Sequence, residues 1–159
     1  KIPGVILKFG GHAMAAGLSL LEKDFNLFNE TLNTILKSEV EPHLLQNVIL
    51  SDGELEPSQF DLSIAQELRD AGPWGQGFPA PIFDGVFELK QQRIVGLKHL
   101  KMILQQGDKL IDAIAFNIDP EAWPNLSVKL VSCVYSLDIN EFRGQRSVQL
   151  LVQRLEAKQ

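Results

Sequence analysis

The sequence predicts an α+β chain: a small mixed α/β segment followed by an antiparallel β-barrel of five or six strands. Three observations predict it. Apolar residues recur at helical spacing only before residue 71. At 71–81 the stretch AGPWGQGFPAP, with three glycines and three prolines, interrupts that pattern. Beyond it the hydrophobic period drops to two, and five or six short apolar runs follow with no long helix among them.

The elements follow in order. Residues 2–9 read as a strand, with Ile2, Val5, Ile6, Leu7 and Phe9 supplying apolar bulk. GGHAMAAG reads as a turn into a short helix, and GLSLL as a brief strand. Residues 24–37 are helical: Phe25, Phe28, Leu32, Ile35 and Leu36 fall on one face. Glu41 and Pro42 end that pattern. NVILS at 47–51 reads as a strand, and Asp52-Gly53 as a turn. Asp61 is placed to cap a helix running to about Asp70 on the apolar side formed by Leu62, Ala65 and Leu68.

After the Gly/Pro stretch, residues 82–90 put Phe83, Phe87 and Leu89 on one face, and Asp84, Glu88 and Lys90 on the other. Residues 98–104 turn Leu100, Met102 and Leu104 inward, leaving His99 and Lys101 outside. A hairpin turn at 105–108 leads to a more buried strand at 109–118. A loop from Asp119 to Pro124 precedes a long strand at 127–138. Residues 140–145, NEFRGQ, read as a loop with Gly144 free to take positive φ. Residues 146–155 alternate, with Val148, Leu150 and Val152 inward and Ser147, Gln149 and Gln153 outward. About five strands at this length suit an OB-like barrel. The expected organisation is residues 1–50 as one domain portion, 51–78 as a helical connector and 79–159 as the barrel.

Composition narrows the function classes. The chain has 159 residues, 45% hydrophobic and 22% charged, enough to bury a core. No apolar run of about 18 residues is present, which argues against a membrane-spanning helix. The opening residues lack a signal-peptide layout and read as a strand entered from upstream, so the chain is expected to be a fragment of a longer protein. Cys133 is the single cysteine and sits in an apolar run. It can form no internal disulfide and no Cys-rich zinc site, which fits a reducing, cytoplasmic setting. The net charge of −5 argues against polyanion binding in general. Residues 1–78 carry 5 Lys/Arg against 11 Asp/Glu, whereas residues 79–159 carry 10 against 9. A nucleic-acid surface is therefore expected in the second half.

No metal-ligand spacing, Walker loop, nucleophile elbow or paired catalytic carboxylates are visible, so no complete active site is expected in these residues. Gly10, Gly11 and His12 form the first candidate. Glycines let backbone N–H groups face an anion, and a helix start adds a favourable dipole. A tight turn with a packed histidine explains the same residues. The second candidate is the outward barrel face and its loops, where cations and aromatics mix as single-strand binding requires: Lys90, Arg93, Lys98, His99, Lys101, Tyr135, Phe142, Arg143 and Arg146. The alternative there is a solvated hairpin with Phe142 folded back. Trp74 can stack a base or wedge two domains together.

These stretches together resemble one family. FGGHAMAAGLSL resembles the glycine-glycine-histidine motif of the DHH-associated domain, which accompanies DHH phosphoesterases. DAGPWGQGFPAPIFDG and LDINEFRGQRSVQLLV resemble the C-terminal part of the RecJ family of bacterial single-stranded-DNA-specific exonucleases. The resemblance spans essentially the whole chain. It implies the tail of a DHH-associated domain at about 1–50 and an OB fold at about 79–159. It implies a parent 5′→3′ exonuclease of DNA repair and recombination, with Mn²⁺ or Mg²⁺ held by Asp and His of an N-terminal DHH domain outside these residues. Gly10, Gly11 and His12 would then face the substrate backbone, no cofactor would be held by this portion, and the portion alone would not cleave DNA. Single-stranded DNA, the DHH domain and the single-stranded-DNA-binding protein are the implied partners. Two other readings stand beside it: an interaction module bracing a catalytic core or docking a protein, and a phosphodiesterase of small nucleotides, against which an extended barrel surface argues.

Overall fold

The computed structural model describes residues 4–41, 44 and 48–158. The chain divides into two compact units, Lys1–Ile49 and Leu50–Gln159. The first residues of the strand expected at 2–9, and Asn47 of the one expected at 47–51, lie outside the described residues.

In the first unit β1 (Ile6–His12) and β2 (Ala15–Leu20) form an antiparallel hairpin. This corrects the helix expected after the glycines. Gly10 pairs with Gly17 and Gly11 with Ala16, and the chain turns at Ala13 and Met14. A helix of so few residues closes too few hydrogen bonds to offset its nucleation, whereas strand pairing engages the backbone at once. Small residues permit the close approach. A Cβ on Gly11 would lie 2.9 Å from the Ala16 Cβ and 3.0 Å from the Ala15 carbonyl oxygen. A 3₁₀ turn (Glu22–Asp24) then leads into α1 (Phe25–Glu39), the expected helix begun one residue later and ended two residues later. Its apolar residues share a face as anticipated, yet Phe25, Leu32 and Leu36 stay exposed. Among the described residues of this unit only Val5 is buried.

The second unit begins with extended chain, not with the strand expected through Ser51. The Asp52 N–H donates to the Ile82 carbonyl (2.7 Å), and the Asp84 N–H donates to the Gly53 carbonyl (3.2 Å). The Asp52 carboxylate accepts from the Ile82 N–H (2.9 Å). One of these bonds runs through a side chain, which breaks the ladder spacing a strand needs. α2 (Leu62–Asp70) starts where Asp61 predicts: its carboxylate accepts from the Ser63 N–H at 2.7 Å.

Five strands form the barrel: β3 (Phe83–Val95), β4 (His99–Gln106), β5 (Lys109–Ala115), β6 (Leu130–Phe142) and β7 (Gln145–Lys158). They close in the order β3-β4-β5-β7-β6, with β6 returning to β3. An odd number of strands cannot alternate in direction all the way round a ring. One pair must be parallel, and it is β5–β7, the exception to the antiparallel expectation. β3 serves two partners, β6 with its first half and β4 with its second, and a register shift between Leu89 and Gln91 bends it between them. β3 therefore runs five residues past the expected end at Lys90. β6 and β7 also run on, so the loop expected at 140–145 shrinks to Arg143 and Gly144. Both take positive φ (51° and 77°), as a two-residue hairpin of type I′ demands.

The core combines an aromatic cluster with aliphatic side chains. Phe60, Phe83, Phe87 and Tyr135 pack with ring centroids 5.6–6.3 Å apart. Leu100, Met102, Leu104, Val131 and Leu150 fill the rest. Leu55 and Ala65 join this core, and α2 rests on β6 and β7. Arg69 on α2 holds the Asp138 carboxylate at 2.8 Å and the Glu141 carboxylate at 3.8 Å. Trp74 donates from Nε1 to the Leu68 carbonyl (3.2 Å) and packs on Phe78 at 4.9 Å, so it braces the segment between α2 and β3.

Candidate nucleic-acid interface

The outward face of β4 and β5 is read from register. Leu100, Met102 and Leu104 point inward, which turns His99, Lys101 and Ile103 out. Lys101 lies opposite Arg93 on β3 and opposite Ile114 on β5, and Ile114 lies opposite Leu151 on β7. The row Arg93–Lys101–Ile114–Leu151 therefore carries two cations and two aliphatics. Like charges directly opposite on a sheet destabilise it by a few tenths to about 1 kcal/mol. Asp112, 3.6 Å from Lys101, offsets part of that cost. Arg93 has no ion-pair partner among the described residues. The next row holds His99 and Phe116, with rings edge to face at 5.0 Å. His99 Nδ1 accepts from the Asn117 N–H (3.2 Å), so Nε2 is its donor in the neutral ring. The turn at 96–98 borders this row with exposed Leu97 and Lys98.

The remaining barrel candidates are dispersed. Tyr135 is a correction: it is 0% exposed and packs in the aromatic core, out of reach of a ligand. Its parity on β6 matches Val131, Cys133 and Leu137, all of which point inward. Burial pushes the Tyr135 hydroxyl well above its ordinary value, and among the described residues it makes no hydrogen bond of good geometry. Burial likewise pushes the Cys133 thiol up to about 12, which keeps it protonated and unreactive. Lys90 sits at the β3 register shift, bound to Glu88 at 2.6 Å. Arg146 is held by Glu141 (3.1 Å) and Gln66, so it braces α2. Phe142 and Arg143 stand at the β6–β7 turn as expected. Phe142 is 64% exposed, with the Arg143 guanidinium 5.2 Å from its ring centre.

On the hairpin, alternation places Lys8 and Ser19, Gly10 and Gly17, and His12 and Ala15 on one face, with Phe9 and Leu18 on the other. The paired Gly10 and Gly17 leave bare backbone between Lys8 and His12; a Cβ on either would meet nothing within 4 Å. His12 Nδ1 accepts from the Met14 N–H (3.2 Å), so its Nε2 is the donor. The backbone remains open to a ligand, while the helix dipole invoked for it is absent. Sequence reasoning missed Phe116, Ile114 and Leu151, because only cross-strand register brings them beside Lys101 and His99. Among the described residues no group of three or more His, Cys, Asp or Glu could hold a metal ion.

A family model described as the RecJ OB domain matches residues 51–154. The chain belongs to the RecJ OB domain family. It is 52% identical over 155 residues to the single-stranded-DNA-specific exonuclease RecJ of Escherichia coli (strain K12), covering 96% of this chain and 27% of that protein. Against RecJ of Haemophilus influenzae the identity is 50% over 158 residues, covering 97% of this chain and 28% of that protein. The chain thus spans about a quarter of the length of the curated relatives it matches. The crystal structure of RecJ in complex with Mn²⁺ from Thermus thermophilus aligns with a TM-score of 0.68 at 24% identity, over 98% of this chain and 22% of that one. The Mg²⁺ complex gives the same score at 21% identity. This likeness shows the fold. In OB folds the face of the second and third strands and the turns after the first and fourth carry oligonucleotides. In this RecJ OB domain those are β4, β5 and the turns at 96–98 and 143–144.

Proposed function

We propose that this chain is the C-terminal, DNA-gripping part of a single-stranded-DNA-specific 5′→3′ exonuclease of DNA repair and recombination, acting in the cytoplasm. Chemistry on phosphorus would belong to metal-binding residues elsewhere in the parent, where Mn²⁺ or Mg²⁺ activates water. These residues would hold the strand and need no metal to do so. The observation that carries the reading is the Arg93–Lys101 pair: two cations directly opposed on the binding face of an OB barrel, flanked by half-buried aliphatics. Phosphates would bridge that pair. Bases would lie on Ile114, Leu151 and Phe116, and Phe142 with Arg143 would hold the strand at the far turn. On the hairpin, Lys8, the bare Gly10–Gly17 backbone and the His12 Nε2–H would contact phosphate.

Fluorescence anisotropy with single- and double-stranded oligonucleotides at two salt concentrations tests this. The single strand is expected to bind more tightly, with affinity falling as salt rises, and Arg93→Ala with Lys101→Ala to weaken it at least tenfold. Equal affinity for both forms, or indifference to the double substitution, refutes the assignment. One observation favours a second reading, that the first unit docks on protein. Phe9, Leu18, Phe25 and Leu36 expose apolar surface there. The parent's DHH domain or the single-stranded-DNA-binding protein is the partner in that case.

A further inference from the structure

We propose that the cavity beside the His99–Phe116 row is a pocket for one unstacked nucleobase. The inference rests on the single-strand reading of the β4–β5 face and extends it. The cavity measures about 240 Å³ and is lined by Phe116, Asn117, Asp119, Trp123, Gln153 and Leu155, among others. Pockets for drug-sized ligands measure about 300–1,000 Å³, so this smaller space suits a ring system without its sugar and phosphate. Its charge excludes the phosphate as well. Asp119 is the only ionisable residue lining it among the described residues, and a carboxylate repels an anion. Two aromatic side chains line the space, and the amides of Asn117 and Gln153 supply groups that match base edges.

The walls are fixed before any ligand arrives. Phe116 packs edge to face on His99, and the Asn117 N–H donates to His99 Nδ1. The Ile118 N–H donates to the Lys98 carbonyl at 3.0 Å, tying this wall to the turn at 96–98. The Asp119 carbonyl accepts from the Trp123 N–H at 3.0 Å, and Trp123 packs against the barrel core. Gln153 is held by a 3.2 Å bond from Nε2 to the Ser136 hydroxyl, which leaves its carbonyl oxygen to accept from an exocyclic amine. Phe116, at 54% exposure, lies one residue past Ala115 in the β5 ladder. It therefore belongs both to the outward face and to the pocket mouth. A strand whose phosphates lie on Arg93 and Lys101 can turn its next base inward past Phe116. A paired base cannot make that turn, so the pocket adds to single-strand selectivity.

The test uses the chain with single-stranded deoxyoligonucleotides carrying 2-aminopurine at each position in turn. Binding is expected to quench the probe strongly at one register. Phe116→Ala is expected to abolish that quenching and to weaken binding about tenfold or more, and Gln153→Ala to weaken it a few-fold. Unchanged quenching and affinity in Phe116→Ala, with Lys101→Ala still weakening binding, overturns the pocket and removes Phe116 as a base contact, while the Arg93–Lys101 phosphate contacts stand. If the unmodified chain binds no single strand at all, the gripping function falls first and the pocket with it.

Discussion

Tyr135 and Cys133 occupy the same face of β6, and both owe their chemistry to burial. The alternation from Val131 to Ile139 was legible in the sequence and places Tyr135 inside. Reading its ring as a base platform took residue type over parity. Its hydroxyl makes no hydrogen bond of good geometry among the described residues, so Tyr135→Phe removes a buried polar group at little cost. We expect thermal stability to hold or rise slightly and oligonucleotide affinity to be unchanged, measurable by melting curves and anisotropy. The two groups also set an alkaline limit. A thiol ordinarily titrates at 9.0, and here burial moves it to about 12. The folded chain therefore keeps the proton that the unfolded chain releases, and the linkage slope is negative. Stability is intact below pH 9 and falls as pH rises from there toward 12, at up to about 1.4 kcal/mol per pH unit for each such group. Tyrosine joins only above its ordinary value of 10.0. Cys133→Ala is thus expected to flatten the loss between pH 9 and 10 in melting-temperature profiles, whatever its cost at neutral pH. An unchanged slope there would mean the thiol titrates normally.

The elements differ in how plainly the sequence announces them. α2 carries its own start signal, because Asp61 can cap only the helix that follows it. β4 and β7 carry a period of two at their inward positions, although Ile103 and Leu151 are apolar and face out. The hairpin at Gly10 to Gly17 carries neither signal. Small residues have no hydrophobic period, and what makes them strands is the partner strand a few residues away. The pocket wall at Phe116 and Trp123 was equally hidden, since barrel closure brings residues from three chain segments together. The β6–β7 turn shows both sides. Gly144 was legible as a positive-φ residue, but Arg143 at φ 51° was not, because arginine seldom adopts that conformation. Asn-Gly is the preferred pair for this turn. Arg143→Asn is therefore expected to keep or raise stability by up to about 1 kcal/mol while removing the cation beside Phe142. If the turn grips phosphate, this variant melts no lower yet binds single-stranded DNA more weakly, with a salt slope reduced by about 0.7. If binding is untouched, the arginine is there for another reason. Arg69→Ala tests the neighbouring brace. Its pairs with Asp138 and Glu141 are partly exposed, so only a small loss of stability is expected in denaturant titrations.

At the scale of the molecule the proposed grip on single-stranded DNA has to work against a net charge of −5. What matters is which cations are already paired. Lys90 is bound to Glu88, Arg69 to Asp138, Arg146 to Glu141 and Arg154 to Glu156. The Arg69 and Arg146 pairs tie α2 to β6 and β6 to β7, the other two lie within single strands, and all four carry little outward field. Arg93, Lys98 and Arg143 have no ion-pair partner among the described residues, and Lys101 shares Asp112 at a looser 3.6 Å. Lys101 lies on β4, Arg93 faces it from β3, and Lys98 and Arg143 lie on the bordering turns. Lys109 and Lys129 also have no ion-pair partner among the described residues, so the charge on this surface is sparse. Such a surface should hold DNA with few phosphate contacts and depend correspondingly on apolar and aromatic contacts to bases. About three phosphates, each contributing a slope near −0.7 for a single strand, give a log–log salt dependence of about −2. Raising salt fourfold should then weaken binding by only about 15- to 20-fold. The same titration on Arg93→Ala with Lys101→Ala should bring the slope to about −1 or shallower. A slope of about −5 or steeper in the unmodified chain would mean that the paired arginines open to reach phosphate. The α2 brace would then be part of the binding surface, and Arg146→Ala would flatten the slope as much as Arg93→Ala does.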